Sequence, residues 1–519
     1  MKKWIKRKIK KFRAVRKVSK QANWSLRKAN DELNKAMKIG MKPDRYIKHN
    51  CWAMTPAEIE RLNKKIEKRK EINNSLSEEL MNITGCSKEE AKKHLSRAIS
   101  FQIPKEKYVH HYLFELSDDE LKDYAKVLKK RAVVLAKNNK FFIDQVCVKT
   151  GWSKPKAIKE MQKMKKRGIS YQKYVQKGVY GYNEDQIKHL VRLINYDKTR
   201  IARNKEKYVA DIMKETGWSR GKTELEVNRA KANCECSYED FLGFKMYELT
   251  PEEQRTYVTL PVFDRMRIKY NEFRPMKDIF DDKAHFNEVF KKYIKRVWFT
   301  NDNLTYEEFE KYIKGLKKVI VKPLAASCGV GVEAFECNKS KKQNKELYDH
   351  IISLGKTIVE EYIFQTKEMA QFCTTSVNTV RVFTLNYQGK CVPLYGFFRM
   401  GNGGVVDNFH ANGLAAGLDV KKGVVETNAV DLARNVYKNS PSTGKKIKGF
   451  KIPKWKEIMD ICQKASQEVE GCNFIGWDFA ITEKGVDLIE GNVAAYYVAQ
   501  LVNVEEKRGL MPIMVDPYL

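Results

Sequence analysis

Four stretches in the first half of the chain align with one another at a nearly constant interval. They read ANWSLRKANDELNKAMKIG, TGCSKEEAKKHLSRAIS, TGWSKPKAIKEMQKMKKRG and TGWSRGKTELEVNRAKANC. Their marker residues Trp24, Cys86, Trp152 and Trp218 lie 62, 66 and 66 residues apart. Because a fixed period is typical of units that stack on their neighbours, the sequence predicts a tandem array of four helical repeats of about 65 residues rather than one globule.

The residues around each marker predict where helices begin and end. A serine follows every marker, and a serine side chain in this position accepts hydrogen bonds from exposed backbone N–H groups at a helix start. The four serines are Ser25, Ser87, Ser153 and Ser219. The Thr-Gly pair before three of the markers can end the preceding helix, because glycine readily adopts the left-handed conformation. We expect each marker to lie at a corner between two helices and to fill the core between repeats.

The positive charge is concentrated in the same half of the chain. Residues 1–250 contain 60 Lys and Arg against 31 Asp and Glu, a balance of +29, and the rest of the chain adds only +5 to the total of +34. Such a surface favours an anionic partner, and we expect an anionic membrane surface or an acidic glycan. A nucleic-acid-binding helix-turn-helix is less favoured, because the lysines surround the helices instead of lining one reading face. A lysine-rich scaffold without a partner is a further alternative.

The composition limits the compartment and the number of domains. The chain has 519 residues, of which 42% are hydrophobic, so it can form several domains with real cores. The sequence contains no run of about 18 uncharged apolar residues, so it predicts no transmembrane helix. The basic start lacks the apolar stretch of a secretory signal. The 11 cysteines form no CxxC pair, as expected for reduced thiols. We expect a cytoplasmic protein that can also bind at the inner face of the membrane. We expect three parts in the chain: a basic amphipathic tail (1–20), the repeats (21–250) and a further domain (251–519).

The segment VIVKPLAASCGVGVEAF, from Val319 to Phe335, points to nucleotide chemistry. Its apolar start predicts a buried strand that ends at Lys322 and Pro323. The small residues that follow allow close backbone approach, so a fixed cation lies beside exposed N–H groups, which suits a polyphosphate. A Walker A motif, a dinucleotide fingerprint and a protein-kinase arrangement each fail on residue order or context. Taken alone, the segment is equally well a strand and turn with a solvated lysine.

Acidic and amide side chains further along the chain predict a magnesium site. The segments GWDFAI and VDLIEGN are two strands joined by a turn at Lys484 and Gly485. Alternation along the second strand puts Glu490 and Asn492 on one face, and the hairpin brings Asp478 beside them. Such oxygen ligands hold Mg²⁺ and leave positions open for phosphate oxygens. Replacing Asp478 or Glu490 by its amide is expected to weaken Mg²⁺-dependent activity and to leave the fold intact.

Seven motifs of the second half occur in order: DDKAHF, VIVKPLAASCGVGV, IVEEYI, SVNTVRVFTL, VDNFHANGLAAGLD, IGWDFAI and LIEGN. Through them the chain resembles the ATP-grasp superfamily, specifically its sugar-transfer-associated (polysaccharide-biosynthesis) branch, from about Phe263 to Met511. The resemblance implies two α+β subdomains that grip ATP, with ATP and Mg²⁺ as cofactors. The expected fold class is therefore multidomain, with an all-α tandem repeat array followed by an α+β ATP-grasp domain.

The resemblance also implies ATP contacts for individual residues. Lys283 in DDK and Lys322 in VKP contact the phosphates. The loop that covers the phosphates with its backbone amides spans Ala326–Gly331 and includes Ser327, Gly329 and Gly331. The hinge whose backbone reads the adenine edge consists of Glu360, Glu361, Tyr362 and Ile363. Glu368 binds the ribose.

Two further residues are implied to act on the reacting groups. Arg381 is placed to bind a phosphate or a developing acyl phosphate, because a planar guanidinium suits such oxyanions. The alternative is a strand arginine that pairs with a neighbouring carboxylate. His410, in a glycine-rich loop, is placed to act as a base for an incoming nucleophile, and the alternative is a structural histidine. The metal ligands implied are Asp478, Glu490 and Asn492.

The implied reaction is the ATP-dependent ligation of a carboxylate to an amine through an acyl phosphate, in the synthesis of cell-surface polysaccharide or glycoconjugate. Phosphotransfer to a hydroxyl uses the same ATP residues and is an alternative, as is a nucleic-acid-binding protein with a regulatory ATP module. The chain departs from the family pattern in one respect. Too few residues lie between the last repeat and DDK to form the Rossmann-like domain that usually precedes an ATP-grasp. The repeats are therefore a candidate for the missing substrate-binding surface.

Overall fold

The computed structural model describes residues 2–324, 331–403, 407, 409, 412–492 and 496–519. Each of the four repeats consists of a long helix, a second helix of 13 or 15 residues, a short third helix and a 3₁₀ turn. The long helices are α1 (Lys2–Ala22), α4 (Pro56–Thr84), α7 (Asp118–Thr150) and α10 (Glu184–Thr216). The second helices are α2 (Leu26–Lys38), α5 (Lys88–Ser100), α8 (Lys154–Lys166) and α11 (Arg220–Cys234). The third helices are α3 (Pro43–Lys48), α6 (Lys105–His110), α9 (Tyr171–Gln176) and α12 (Tyr238–Gly243).

These helices confirm the predicted all-α array. The 3₁₀ turns that close the repeats are Cys51–Ala53, Leu113–Glu115, Val179–Gly181 and Met246–Glu248. The chain divides into two compact units, Met1–Ala125 and Lys126–Leu519, so the division falls inside α7. Within the described part of the chain, no helix combines the length and the apolar composition that crossing a bilayer requires.

Capping by local side chains explains where the second helices begin. Ser25, Ser87 and Ser219 each accept a hydrogen bond from the backbone N–H three residues further on. Ser153 occupies the same position at the start of α8 without that bond. Three long helices end at glycines with φ of 70°, 68° and 70°, namely Gly85, Gly151 and Gly217. The predicted helix boundaries therefore follow from short-range chemistry.

Trp24, Trp152 and Trp218 pack against the cores of their repeats, as expected, but none of the marker residues is fully buried. All four are only partly buried: Trp24, Cys86, Trp152 and Trp218. The core of the first repeat contains Ala29, Leu33 and Ala36 of α2, while the amine of Lys28 lies 4.7 Å from the ring centre of Trp24. The physical reason is that a residue just before the N-cap lies outside the helix, beside its end rather than on its buried face.

The start of the chain, predicted as a basic tail, is the first long helix of the array. The side chains of Ala14, Val15 and Val18 in α1 are buried in the first repeat, whereas Ile9 and Phe12 are 47% and 56% exposed. The C-terminal end of α1 is thus part of the first repeat. The boundaries at residues 20 and 250 stay predictions.

The middle of helix α10, which connects the third and fourth repeats, is largely exposed to solvent. Its first turns bury Leu190 and Ile194 in the core of the third repeat, and its end buries Ile212 in the next core. Between them Tyr196 and Ile201 are 77% and 59% exposed. A helix that is solvated on all sides in its middle is typical of a bridge between two packed bodies.

The remainder of the chain forms two antiparallel sheets with flanking helices. The four-stranded sheet has the order β1-β4-β2-β3, and the seven-stranded sheet has the order β11-β10-β5-β6-β7-β8-β9. The strands are β1 (Trp298–Thr300), β2 (Lys318–Pro323), β3 (Glu333–Glu336), β4 (Thr357–Glu361), β5 (Thr379–Tyr387), β6 (Lys390–Met400), β7 (Leu414–Asp419), β8 (Val424–Val430), β9 (Val436–Tyr437), β10 (Phe474–Thr482) and β11 (Gly485–Asn492). The helices are α13 (Pro251–Gln254), α14 (Leu260–Tyr270), α15 (Phe273–Pro275), α16 (Lys283–Val289), α17 (Tyr306–Ile313), α18 (Lys341–Ser353), α19 (Lys367–Ala370), α20 (Trp455–Ala465), α21 (Tyr496–Leu501) and α22 (Met511–Met514), with a π-helical turn at Met276–Phe280.

The two faces of the seven-stranded sheet are covered by different parts of the chain. On one face, Phe383 and Phe397 pack in the same core as Phe244 of the fourth repeat. On the other face, Val382 packs in a core that includes residues of α16 and α20. Strand alternation puts Arg381 on the face of Phe383. The polar end of β5 and the fourth repeat therefore share one face of the sheet.

Candidate active site

The predicted strand Val319–Val321 is part of β2 and brings Lys322 to a buried acid. The amine of Lys322 donates to Glu360 of the adjacent β4, and the Glu360 side chain is 6% exposed. The other carboxylate oxygen of Glu360 accepts from Arg296 at 2.8 Å and from the amide of Asn287 at 3.1 Å. Burial favours the protonated form of Glu360, but Arg296 and Lys322 outweigh it and hold its pKa far below the usual range. Lys322 therefore lies against a fixed anion and is 24% exposed.

Lys283 lies at the end of the same strand. It begins α16, and its amine donates to the carbonyl oxygens of Pro323 at 3.3 Å and Leu324 at 3.2 Å. Burial lowers the pKa of Lys283, partly offset by the nearby carboxylate of Glu490. The two predicted phosphate lysines, which are 39 residues apart in sequence, are thus both at the C-terminal end of β2.

A second charged cluster is formed where β5, β6, β10 and β11 lie side by side. Asp478 lies directly opposite both Arg381 and Glu490 on its neighbouring strands. Both carboxylate oxygens of Asp478 accept from the Arg381 guanidinium, and Arg399 of β6 donates to one of them at 2.7 Å. Arg381 also lies 3.5 Å from Glu490. The predicted hairpin of Asp478 and Glu490 is therefore present, and Arg381 makes the carboxylate pair that was the alternative to a phosphate contact.

The two acids of this cluster have opposite pKa shifts. Burial favours protonation of Asp478, but Arg381 and Arg399 outweigh it, so the pKa of Asp478 is lowered. Desolvation and the neighbouring Asp478 carboxylate raise the pKa of Glu490, although 47% of its side chain is reached by solvent. A cation bound beside Glu490 would lower that pKa again.

The donor set fits Mg²⁺ better at Glu490 and Asn492 than at Asp478. Asp478 is completely buried and already accepts from two arginines. Glu490 and Asn492 are two positions apart on β11, so both extend from the same face of the strand. Among the described residues, no three His, Cys, Asp or Glu side chains are grouped so that they could hold a metal. An ion at Glu490 and Asn492 would take its other ligands from water and phosphate, as Mg²⁺ commonly does.

The predicted hinge leaves the small sheet at the end of β4. The backbone N–H groups of Glu361 and Tyr362 donate to the carbonyls of Val297 and Lys318 at 2.7 and 2.9 Å. The Glu361 side chain accepts from Lys484 at 2.8 Å. Ile363 follows outside the strand. Hydrogen bonds to the residue just before β1 and to the first residue of β2 thus fix the start of this segment.

The other predicted residues are distributed unevenly. Glu368 is exposed in the first turn of α19, and its pKa is lowered by hydrogen bonds to its own backbone N–H and to Thr366. Gly331 has φ of +71°, and a Cβ there would lie 2.9 Å from Pro323 Cγ, so the chain returns close to the end of β2. Ser327, Gly329 and His410 lie outside the described residues.

Sequence reasoning missed Arg296, Asn287 and Asp487. Arg296 is buried between Glu360 and Asp487, and Asn287 completes the Glu360 contacts. Arg399 lies 3.6 Å from Asp407 in addition to its bond with Asp478. The only signal in the sequence was the position of Arg296 in the segment IKRVWF, just before a short apolar strand. Nothing in the spacing of this segment from other motifs indicates the partners of Arg296.

Comparison with known proteins agrees with this geometry. The sequence profile of the family described as sugar-transfer associated ATP-grasp matches residues 264–514. No curated protein sequence matches the chain.

Solved structures similar to the chain include three ligases or synthetases. One is the ATP-grasp ligase PsnB in complex with a phosphomimetic variant of its minimal precursor, Mg and ADP, at 13% identity, with 49% of this chain and 66% of that chain covered and a TM-score of 0.27. Another is D-alanine–D-alanine ligase from Bacillus anthracis, at 10% identity, 47% and 69% coverage and a TM-score of 0.28. A third is N5-carboxyaminoimidazole synthetase from Staphylococcus aureus in complex with ADP, at 11% identity, 45% and 54% coverage and a TM-score of 0.29. The chain thus spans about two thirds of the first of these structures.

The family assignment rests on the profile match together with the ordered motifs. The matched residues include both lysines at the end of β2, the arginine and carboxylate cluster and the Glu490–Asn492 pair. Residues 264–514 therefore match the sugar-transfer-associated ATP-grasp family.

Proposed function

We propose that this protein is an ATP- and Mg²⁺-dependent carboxylate–amine ligase that acts in the synthesis of cell-surface polysaccharide or glycoconjugate. The observation that carries the proposal is the pair of clusters around the end of β2 and the end of β11. One presents the amines of Lys283 and Lys322, and the other places two arginines beside the partly exposed carboxylate of Glu490. Such groups match the charges of a polyphosphate, a carboxylate and a metal ion.

The residues divide the chemistry between them. Lys283 and Lys322 hold the phosphates of ATP, and a Mg²⁺ at Glu490 and Asn492 would neutralise part of the phosphate charge. Arg381 and Arg399 orient the substrate carboxylate, whose oxygen attacks the γ-phosphorus as ADP leaves. An amine then attacks the acyl carbon of the acyl phosphate, inorganic phosphate leaves, and a base removes the amine proton. We assign the base to His410.

The fourth repeat is proposed to form one wall of the substrate pocket. It shares a sheet face with Arg381, since Phe383 two residues further along β5 packs in the same core as Phe244. The loop after β6 contributes Phe409 to that core. A substrate carboxylate near Arg381 would therefore lie between the arginines and the repeat.

Trapping of an acyl intermediate should distinguish ligation from phosphotransfer. With enzyme, Mg²⁺, ATP and an active carboxylate, hydroxylamine should yield a hydroxamate, because this nucleophile replaces the amine in attack on the acyl phosphate. The active carboxylate is found first by ADP release against a panel of amino acids, amines and uronic acids. ADP release with a hydroxyl substrate and a phosphorylated product, without hydroxamate from any active carboxylate, would establish phosphotransfer instead.

We further propose that the repeats attach the protein to an anionic membrane surface. The support is the charge of +29 in residues 1–250 together with exposed apolar residues beside cations on α1. Phe12, Arg13, Arg16 and Lys17 are exposed there, and the Arg16 guanidinium lies 4.7 Å from the ring centre of Phe12. Each cation near an anionic leaflet contributes about 1 kcal/mol, and apolar side chains add interfacial contacts.

The full chain should sediment with phosphatidylglycerol-containing vesicles at low salt and be released at high salt, because salt screens exposed charges. Replacing Arg13, Arg16 and Lys17 by glutamate should reduce binding by more than about tenfold. The matched control replaces the exposed Lys314, Lys342 and Lys390 of the C-terminal half by glutamate, with no comparable loss. Tighter binding to duplex DNA or to an acidic glycan at equal ionic strength would refute the membrane as partner.

A further inference from the structure

Arg296 is a buried cation that contacts both sheets of the C-terminal half. It lies in the short segment between the 3₁₀ turn Lys291–Tyr293 and β1, and its side chain is 3% exposed. One terminal nitrogen donates to Asp487 of β11 at 3.0 Å and to the carbonyl of Leu488 at 2.8 Å. The other donates to Glu360 of β4 at 2.8 Å and to the carbonyl of Ile489 at 3.2 Å. Arg296 therefore joins the strand of the hinge to the strand that ends in Glu490 and Asn492.

The charges in this chain of contacts alternate. Lys322, Glu360, Arg296 and Asp487 follow one another as cation, anion, cation and anion, each in contact with the next. Lys283 of α16 adds a further positive charge near Glu360. The neutral Asn287 also donates to Glu360. In the described part of the chain, these charged and polar groups face Glu360 and Arg296 from the helices and strands packed around them.

The position of Arg296 matters for what Lys322 can do. Glu360 and Lys322 are bonded to each other, so a phosphate must compete with Glu360 for the lysine amine. Arg296 keeps Glu360 anionic and fixed when that amine turns to a phosphate, since a buried carboxylate without a cation is costly. Without Arg296, Lys322 would be the principal cation left for Glu360 and would be withheld from the nucleotide.

We propose that Arg296 is a positioning residue that anchors Glu360 between the two sheets and so leaves Lys322 available to a nucleotide phosphate. This inference rests on the proposed function, because it assumes that Lys322 binds ATP. Arg296 itself is not expected to touch the nucleotide. Its effect on the phosphates passes through Glu360 and Lys322.

Replacing Arg296 by methionine should weaken the binding of MgADP, measured by titration calorimetry on the full chain. Near pH 7.5, the dissociation constant should rise at least about tenfold relative to wild type, because Lys322 is retained by Glu360. Near pH 5.5, the ratio of the two constants should fall towards about two. Burial without Arg296 raises the pKa of Glu360, so mild acid neutralises the carboxylate in the variant and releases Lys322. In wild type Glu360 stays anionic between pH 5.5 and pH 7.5. Protonation of the nucleotide affects the variant and wild-type dissociation constants equally, so it does not change their ratio.

Two further variants separate positioning from stability. The double variant Arg296→Met/Glu360→Gln should recover most of the lost affinity, with a ratio that no longer depends on pH. Glu360→Gln alone should bind MgADP at least as tightly as wild type, and this measurement holds even if Arg296→Met fails to fold. Arg434→Met is the matched control, since Arg434 also joins distant segments, through Glu215, but lies in no contact with the Lys322 chain that the structure describes.

Each outcome decides the inference. A pH-independent affinity ratio for Arg296→Met, or a Glu360→Gln variant that binds as poorly as Arg296→Met, would overturn the role of Arg296 while wild-type MgADP binding preserves the proposed function. Absence of MgADP binding by folded wild-type protein would overturn both.

Discussion

Replacing Lys322 by alanine should nearly abolish ATP turnover, with a loss of about 100-fold or more in the rate of ADP release. The amine of Lys322 is at the end of β2, beside Lys283, and is the group that phosphate oxygens would meet there. Removing a preorganised charge from phosphates whose charge shifts in the transition state costs about 3 kcal/mol. The measurement is ADP release from MgATP, either with an active substrate or as basal hydrolysis.

The fold should survive the loss of Lys322. Its side chain is 24% exposed, and Glu360 keeps its bonds to Arg296 and Asn287, so the remaining carboxylate is still paired. The unfolding temperature should therefore change little. Lys317→Ala is the matched control, because Lys317 is an exposed lysine just before β2. The Lys317→Ala variant should turn over ATP at the wild-type rate. Wild-type turnover by Lys322→Ala would remove the basis for a phosphate site at β2.

Asp478→Asn should destabilise the protein, unlike the sequence-based expectation that the fold would stay intact. Asp478 is completely buried and is the shared partner of Arg381 and Arg399. Its amide would leave two largely buried guanidinium groups without their main counter-charge, which costs about 3–5 kcal/mol. A cost of that size should lower the unfolding temperature by roughly 10 °C, measurable by calorimetry.

Glu490→Gln should lose activity without losing stability. Its side chain is 47% exposed, and desolvation and Asp478 raise its pKa, so removing the charge relieves repulsion between the two acids. The loss of a Mg²⁺ ligand should lower turnover by about 100-fold and raise the Mg²⁺ concentration that half-saturates activity. Glu483→Gln, in the turn of the same hairpin, provides a control that should keep both stability and activity.

Equal unfolding temperatures for Asp478→Asn and wild type would refute the assignment of Asp478 as the anchor of the two arginines.

Short-range patterns accounted for much of the fold. The period of the markers, the capping serines and the Thr-Gly ends act within one or two helical turns, and the helices begin and end where these residues predict. The hairpin that pairs Asp478 with Glu490 was also predictable, since a short turn and strand alternation place the two acids opposite each other. The Trp markers contact the cores as predicted. Their partial exposure was not predictable, because the degree of burial depends on how helices pack, which a corner position in sequence does not specify.

The sequence by itself determined the repeated helices, the strand that carries Lys322 and the residues of the Asp478–Glu490 hairpin, because each depends on neighbours close in the chain. Only the tertiary structure decided which charges meet. Arg296 pairs with Glu360 across 64 residues and with Asp487 across 191, and Arg381 reaches Asp478 across 97. Such pairs depend on how the sheets are assembled, since alternation fixes the face of a side chain but not the strand that will lie beside it. The position of the fourth repeat on the sheet face of Arg381 likewise depends on tertiary structure. It follows from a shared core that no local sequence pattern predicts.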